Sequence, residues 1–392
     1  MAGRRDRLGV EAVLRSDLAG MTDPLRISAT YRLRVTGPDA AHRAQQLALE
    51  QSIEMLATSV SDSQVLHTIV ARVDEVTSNN DGTHTARLAL SVDTVGDDAG
   101  QLMNMLFGNA SLQSDVELID VEVPAAIARV WGGPNQGIVG LRRHTGALGR
   151  PLTCTALKPI GSTIESLVHL CRVFAGAGID VIKDDHGWAN QRSAPFAARV
   201  RACQQALNES NAARAKGRTL YAPSLYGHHD QMRAQVELAY RAGVRLVLIA
   251  PMVCGVATLV GLKREFADMM FIAHPSLGGL RIAPEVLFGK LFRLFGADAV
   301  IFPNHGGRFS YAPEACRAIA KNNTQPWHDL KPALPTPAGG MSVDRAAEMV
   351  GEYGRDSMLL VGGALLSARE QLAARSTEFV NAVAMAAETV TA

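Results

Sequence analysis

Aromatic residues are scarce in this chain, at 5% of 392 residues. That leaves few flat side chains for the stacking platforms that hold single-stranded nucleic acid. An excess of either charge is also lacking: 39 Lys and Arg face 38 Asp and Glu, for a net charge of +1. The balance therefore favours neither nucleic acid nor an anionic membrane as a partner. No apolar run reaches the ~18 residues of a membrane span. The five cysteines (Cys154, Cys171, Cys203, Cys254 and Cys316) lie far apart, with no CxxC pair and no zinc spacing. They speak against a disulfide framework and for a reducing cytoplasm. The start, Met1-Ala2-Gly3-Arg4-Arg5, is basic but leads into no apolar core, so no targeting peptide is read. What is abundant is hydrophobic residues, 47% of the chain, enough for a large core in two or three domains. The expectation is a cytoplasmic globular enzyme.

The pattern divides the chain into a tail at 1–24, an α+β domain at 25–130, a linker at 131–150 and a barrel at 151–392. In the first domain, Ile27, Ala29, Tyr31, Leu33 and Val35 alternate with polar residues, the period of a half-buried strand. Gly37-Pro38 breaks it ahead of a helix over 39–56. Strands are predicted at 64–74 and 84–92 around the hairpin signal Asn79-Asn80-Asp81-Gly82, then a helix at 98–107 and a strand at 115–123. The order βαββαβ points to a ferredoxin-like α+β domain. Gly and Pro at 131–135 and 146–150 mark the linker. Beyond it, eight short apolar runs (152–157, 179–182, 220–222, 246–250, 270–273, 299–302, 333–336 and 358–361) alternate with helical segments. Such runs suit parallel strands buried on both faces, and eight βα units close into a TIM barrel. An open doubly wound sheet is the alternative, since periodicity does not prove closure.

Barrel chemistry gathers where strands end. The first ends in Leu157-Lys158-Pro159, the second in Lys183-Asp184-Asp185-His186. Strand alternation sends Lys183 and Asp185 to one side and Asp184 to the other. Oxygen and nitrogen donors there make a plausible metal site, Lys183, Asp185 and His186, especially if the lysine becomes a carbamate. His274 ends the fifth strand. Gly339-Gly340 and Gly362-Gly363 follow the seventh and eighth, where barrels often hold phosphate on bare backbone N–H groups. Simple turn geometry would explain any one such pair, and a structural ion pair would explain Lys158. Cys154 and Cys254 read as core, while Trp188, Tyr226 and the methionines carry no signal beyond packing.

The stretches Gly149-Arg150-Pro151-Leu152 to Leu157-Lys158-Pro159 and Gly178-Ile179-Asp180-Val181-Ile182-Lys183-Asp184-Asp185 resemble the large subunit of ribulose-bisphosphate carboxylase (RuBisCO). Glu50-Gln51-Ser52, Phe107-Gly108-Asn109 and the two glycine pairs also match, and the resemblance spans about residues 26–370. Departures from the pattern point to a RuBisCO-like protein. His186 stands where the family has its metal glutamate, Ile160 where its second lysine would be, and Pro275 where an arginine follows the strand 5 histidine. The strand 6 histidine is replaced around Phe302-Pro303, and Asn304-His305-Gly306-Gly307-Arg308 stands in place of the mobile lysine loop.

The resemblance implies an enediolate held on a metal. Lys183 as carbamate, Asp185 and His186 would position Mg2+, although the imidazole suits Mn2+ better, and a metal-free site remains an alternative. Lys158 would protonate the enediolate carbon or stabilise its oxygen, and His274 would orient a hydroxyl. Gly339, Gly340, Gly362 and Gly363 would hold phosphate, and Glu50 would reach a partner's site in a homodimer. The hexapeptide Asn304–Phe309 is most similar to the branch acting in apiose breakdown. The expected activity is therefore decarboxylation of a phosphorylated sugar acid, 3-oxo-isoapionate 4-phosphate, to L-erythrulose 1-phosphate and CO2. Alternatives are a transcarboxylase/hydrolase giving 3-phosphoglycerate and glycolate, another sugar-phosphate enolase or isomerase, a Schiff-base aldolase, and a silent sugar-phosphate-binding protein.

Overall fold

The computed structural model describes residues 25–35 and 39–389. The tail at 1–24 and the turn at Gly37-Pro38 lie outside the described residues. The chain forms two compact units.

The first unit is built on a four-stranded antiparallel sheet ordered β2-β3-β1-β4, from β1 (Arg26–Leu33), β2 (Arg72–Ser78), β3 (His84–Ser91) and β4 (Val116–Glu122). The alternation read in β1 is real: Ile27, Ala29, Tyr31 and Leu33 are buried, their neighbours only partly so. The helices Asp39–Glu50 and Ala99–Phe107 complete the ferredoxin-like order. One expectation fails here. The strand placed at 64–74 is a helix over Ser63–Thr68, with β2 starting only at Arg72. Asp62 caps that helix by accepting from the Gln64 N–H at 2.8 Å, and a capped turn outweighs the β-branched residues that suggested a strand. Gly279–Leu287 and His328–Leu330 also belong to this unit; the Leu118 N–H donates to Arg281 C=O at 3.0 Å.

The second unit is a parallel barrel of β5 (Leu152–Leu157), β6 (Val181–Asp184), β7 (Leu220–Ala222), β8 (Leu246–Ile249), β9 (Met270–Ala273), β10 (Ala299–Pro303), β11 (Leu334–Ala338) and β12 (Met358–Leu360). The hydrogen-bonded order is β7-β6-β5-β12-β11-β10-β9-β8. The ring closes between β7 and β8, where the Leu248 N–H donates to Pro223 C=O and the Leu225 N–H to Leu248 C=O, both at 2.9 Å. The open sheet is thereby set aside. Because strand side chains alternate, one row from each strand fills the interior. Leu152 and Cys154, Leu246 and Leu248, Met270 and Ile272, Ala299 and Ile301, and Met358 and Leu360 form one buried cluster. Burying each of the larger side chains contributes about 1.5–3 kcal/mol.

The helix Ala125–Trp131 ends where the segment read as a linker begins, and that segment carries a second helix, Gly137–Thr145; Ile138, Leu141 and Ala147 join the barrel cluster. Asp298 anchors the second helix by accepting the N–H groups of Gln136 at 2.7 Å and Gly137 at 2.6 Å.

Candidate active site

Continuing the inward rows two residues at a time leads from the core to the mouth. On β5 the row Leu152-Cys154-Ala156 ends at Lys158, and on β6 Val181 is followed by Lys183 and Asp185. On β9 the row ends at His274, on β11 at Gly340 and on β12 at Gly362. All of these mouth residues line one cavity of about 620 Å3, together with His186, Gly339 and Gly363. Every barrel residue singled out from the sequence is thus in one place. Glu50 lies in the other unit, where Asn109 Nδ2 donates to its Oε1 at 2.9 Å.

Asp185 organises the charges. Lys158 donates to its Oδ2, Lys183 Nζ lies 4.0 Å from its Oδ1, and His186 Nδ1 lies 3.4 Å from the same oxygen. Burial pushes the Asp185 carboxyl up, but hydrogen bonds from His186 and Lys158 and the nearby lysine charges hold it well below the usual carboxylate range. Lys183 is 3% exposed and donates to Asp184 C=O at 3.0 Å. Burial lowers its pKa against the pull of Asp185.

His274 is held neutral. Burial lowers its pKa far below the imidazole range, and the positive charge of Lys183 lowers it further. The Ser276 N–H can only donate, and it points at His274 Nδ1 from 3.2 Å. Nδ1 therefore accepts, and the ring proton sits on Nε2. The His186 and His274 rings stack with centroids 4.3 Å apart.

Asp184 faces the other way, as alternation requires. It is fully buried, and so is Arg199, from the helix Phe196–Ala212. Arg199 Nε donates to its Oδ2 at 3.2 Å, Tyr221 OH to its Oδ1 at 2.7 Å, and the Ser224 N–H to Oδ2 at 3.1 Å. Arg199 is the residue that sequence reasoning missed. It stands fifteen positions after Asp184 on a different element, with no motif linking them.

The glycine wall is close-packed. A Cβ on Gly340 would lie 2.6 Å from Gly306 O and Gly307 Cα, and one on Gly307 would lie 2.8 Å from Gly339 C. Gly339 and Gly340 also take positive φ, 82° and 64°. Arg345 braces both loops, donating to Gly340 C=O at 2.9 Å and His305 C=O at 3.3 Å. On the far side, a Cβ on Gly362 would stand 3.8 Å from Lys158 Cε. Among the described residues, no three His, Cys, Asp or Glu side chains form a group able to hold a metal ion, and no helix is long and apolar enough to cross a membrane.

Residues 137–388 match the family model for the ribulose bisphosphate carboxylase large chain, catalytic domain. The chain belongs to the RuBisCO large-chain family. Among solved structures, a RuBisCO-like protein from Rhodopseudomonas palustris superposes with a TM-score of 0.86 at 42% identity, covering 92% of this chain and 98% of that one. The chain is thus a RuBisCO-like member of the family. It is 50% identical to the 5-methylthioribulose-1-phosphate isomerase of Rhodospirillum rubrum over 369 residues, 94% of this chain and 98% of that protein. It is 31% identical to the 2,3-diketo-5-methylthiopentyl-1-phosphate enolase of Geobacillus thermodenitrificans over 277 residues, 68% of this chain and 67% of that one.

These relatives overturn the decarboxylase expectation and its place in apiose breakdown. The reason lies in the hexapeptide that carried it. Gly307 is required because a Cβ there would lie 2.8 Å from Gly339 C, and Gly306 because it takes a φ of 75° beside the Arg345 guanidinium; these are constraints of loop geometry and carry no information about a carboxyl group on a substrate.

Proposed function

We propose that this protein is an isomerase of a phosphorylated ketose, acting on 5-methylthioribulose 1-phosphate or a close analogue through an enediolate. The observation that carries this reading is the shared cavity, with Lys158, Lys183, Asp185, His186 and His274 facing the glycines that would cradle phosphate. Moving a carbonyl along a sugar chain begins with loss of a proton from the carbon beside it and ends with a proton returned to a neighbour. Both steps need a group that carries a proton and another that steadies negative oxygen. Lys158, ion-paired to Asp185 and part-exposed to the cavity, carries the proton. Neutral His274 donates from Nε2 to a substrate oxygen. Backbone N–H groups at Gly339, Gly340, Gly362 and Gly363 hold the phosphate.

Unmodified, the donor set does not fit a divalent cation: one carboxylate is already paired with Lys158, beside a second amine. It fits once Lys183 carries a carbamate, which burial favours by making the neutral amine accessible. Lys183, Asp185 and His186 would then hold the ion, and the imidazole suits Mn2+ better than Mg2+. Such an ion would supply Lewis-acid stabilisation of the enediolate oxygens.

The test is incubation with 5-methylthioribulose 1-phosphate in D2O. The expected result is an isomeric ketose phosphate with deuterium on carbon, lowered about 10²–10⁴-fold in Lys158→Met. Release of CO2 from a keto acid without any such exchange would refute the reading.

A further inference from the structure

The loops at the strand ends enclose a second cavity, of about 280 Å3, that the reading above leaves unused. It lies over β6–β9, whereas the larger one lies over β5, β6 and β9–β12. The two have only His186 and His274 in common, and these are the stacked imidazoles. The histidine pair is therefore a sill between two lobes, and a ligand crossing it touches both.

The lobes differ in chemistry. Lys158, Lys183, Asp185 and Arg308 line the larger. No Lys, Arg, Asp or Glu lines the smaller, whose walls include Trp188, Leu225, Tyr226, Met232, Val253 and Cys254. A phosphate or carboxylate placed there would lose its hydration with no cation to offset the loss. An uncharged arm would not, and thioether sulfur and aromatic edges attract one another. Cys254, which the sequence suggested was core, is only partly covered and faces this lobe. Burial pushes its thiol up to about 12, so it acts as an apolar wall and not as a nucleophile.

The smaller lobe is also preformed. Gln235 clasps Tyr226 by accepting its N–H at 3.1 Å and donating to its C=O at 2.9 Å. Trp188 Nε1 donates to Leu157 C=O at 3.0 Å. Little ordering is needed on binding, so apolar contact there converts to affinity efficiently.

Building on the isomerase reading, we infer that the smaller lobe is the specificity subsite for the unphosphorylated end of the substrate. It takes an uncharged thioether or short alkyl arm, while the phosphate sits on the glycine wall of the larger lobe and the carbonyl lies between, at the lysines.

A matched ligand pair tests this: 5-methylthioribulose 1-phosphate, and ribulose 1-phosphate, which has a hydroxyl in place of the methylthio group. Binding by calorimetry and turnover are measured for wild type, Cys254→Trp and Val253→Trp. Val253 is 60% exposed, so its replacement tests the idea even if Cys254→Trp fails to fold. Wild type should prefer the methylthio compound by about 10–200-fold, the range for one small apolar group, and filling the lobe should cut that preference at least about 10-fold. A preference that survives both substitutions, or none in wild type, overturns the subsite. Tight, selective binding without isomerisation or deuterium exchange would instead overturn the isomerase reading and leave the subsite standing.

Discussion

Replacing Arg199 with methionine tests how the site is held in place. Arg199 and Asp184 are both fully buried. Arg199 also donates to Ala194 C=O at 2.6 Å and Ala189 C=O at 3.1 Å. Its guanidinium lies 5.0 Å from the Trp188 ring centroid. The substitution keeps apolar bulk but leaves Asp184 with only Tyr221 and Ser224 as donors. Breaking a buried pair from one side costs about 3–5 kcal/mol. The loss should depend on pH with a definite sign. Burial already raises the Asp184 pKa above its ordinary value, against the pull of Arg199. Removing the guanidinium raises it further. Below the unfolded value of about 3.9 the carboxyl is protonated in both states and the charge penalty vanishes. As pH rises past that value, the unfolded chain ionises first and stability falls. Denaturant unfolding of wild type and Arg199→Met at pH 4 and pH 8 should therefore show the larger gap at pH 8. Asp184→Asn combined with Arg199→Met should recover part of it. A loss under about 1 kcal/mol at pH 8, or a gap that widens at low pH, would refute the account of a buried ion pair positioning β6.

Gly340→Ala forces a Cβ to within 2.6 Å of backbone at positive φ, so phosphate binding by calorimetry should weaken at least tenfold, with stability down by about 1–3 kcal/mol. His274 has its folded pKa below the unfolded one, so it contributes stability above about pH 6.5 that is lost as pH falls and the unfolded ring takes a proton first. His274→Gln should flatten the stability profile between about pH 6.5 and 5 in thermal melts. Metal titration should show one tight site only after incubation with bicarbonate, and none in Lys183→Met; tight binding without bicarbonate would remove the carbamate from the scheme.

Much of this architecture was legible because it rests on period-two burial. The eight barrel runs are continuous and apolar, and their ends carry residues that face the cavity, so Lys158 and His274 are legible from their place at strand ends, and Lys183 and Asp185 from alternation as well. What escaped notice depends on contacts between distant elements. Arg199 answers Asp184 from a helix. His186 and His274 meet face to face across two strand ends. Ile138 and Leu141 turn a glycine-flanked stretch into a helix that packs on the barrel core. The substrate is not legible in the Asn304–Phe309 motif for a related reason: backbone conformation and packing account for its two glycines without any reference to the reaction.

The contact between Gly307 and the Gly339-Gly340 turn makes the two loops interdependent. Neither can acquire a side chain while the other keeps its path, so the segments after β10 and β11 must diverge together. A chimaera importing only one of them from a distant homologue would misshape the cradle, whereas exchanging both as a cassette would preserve it.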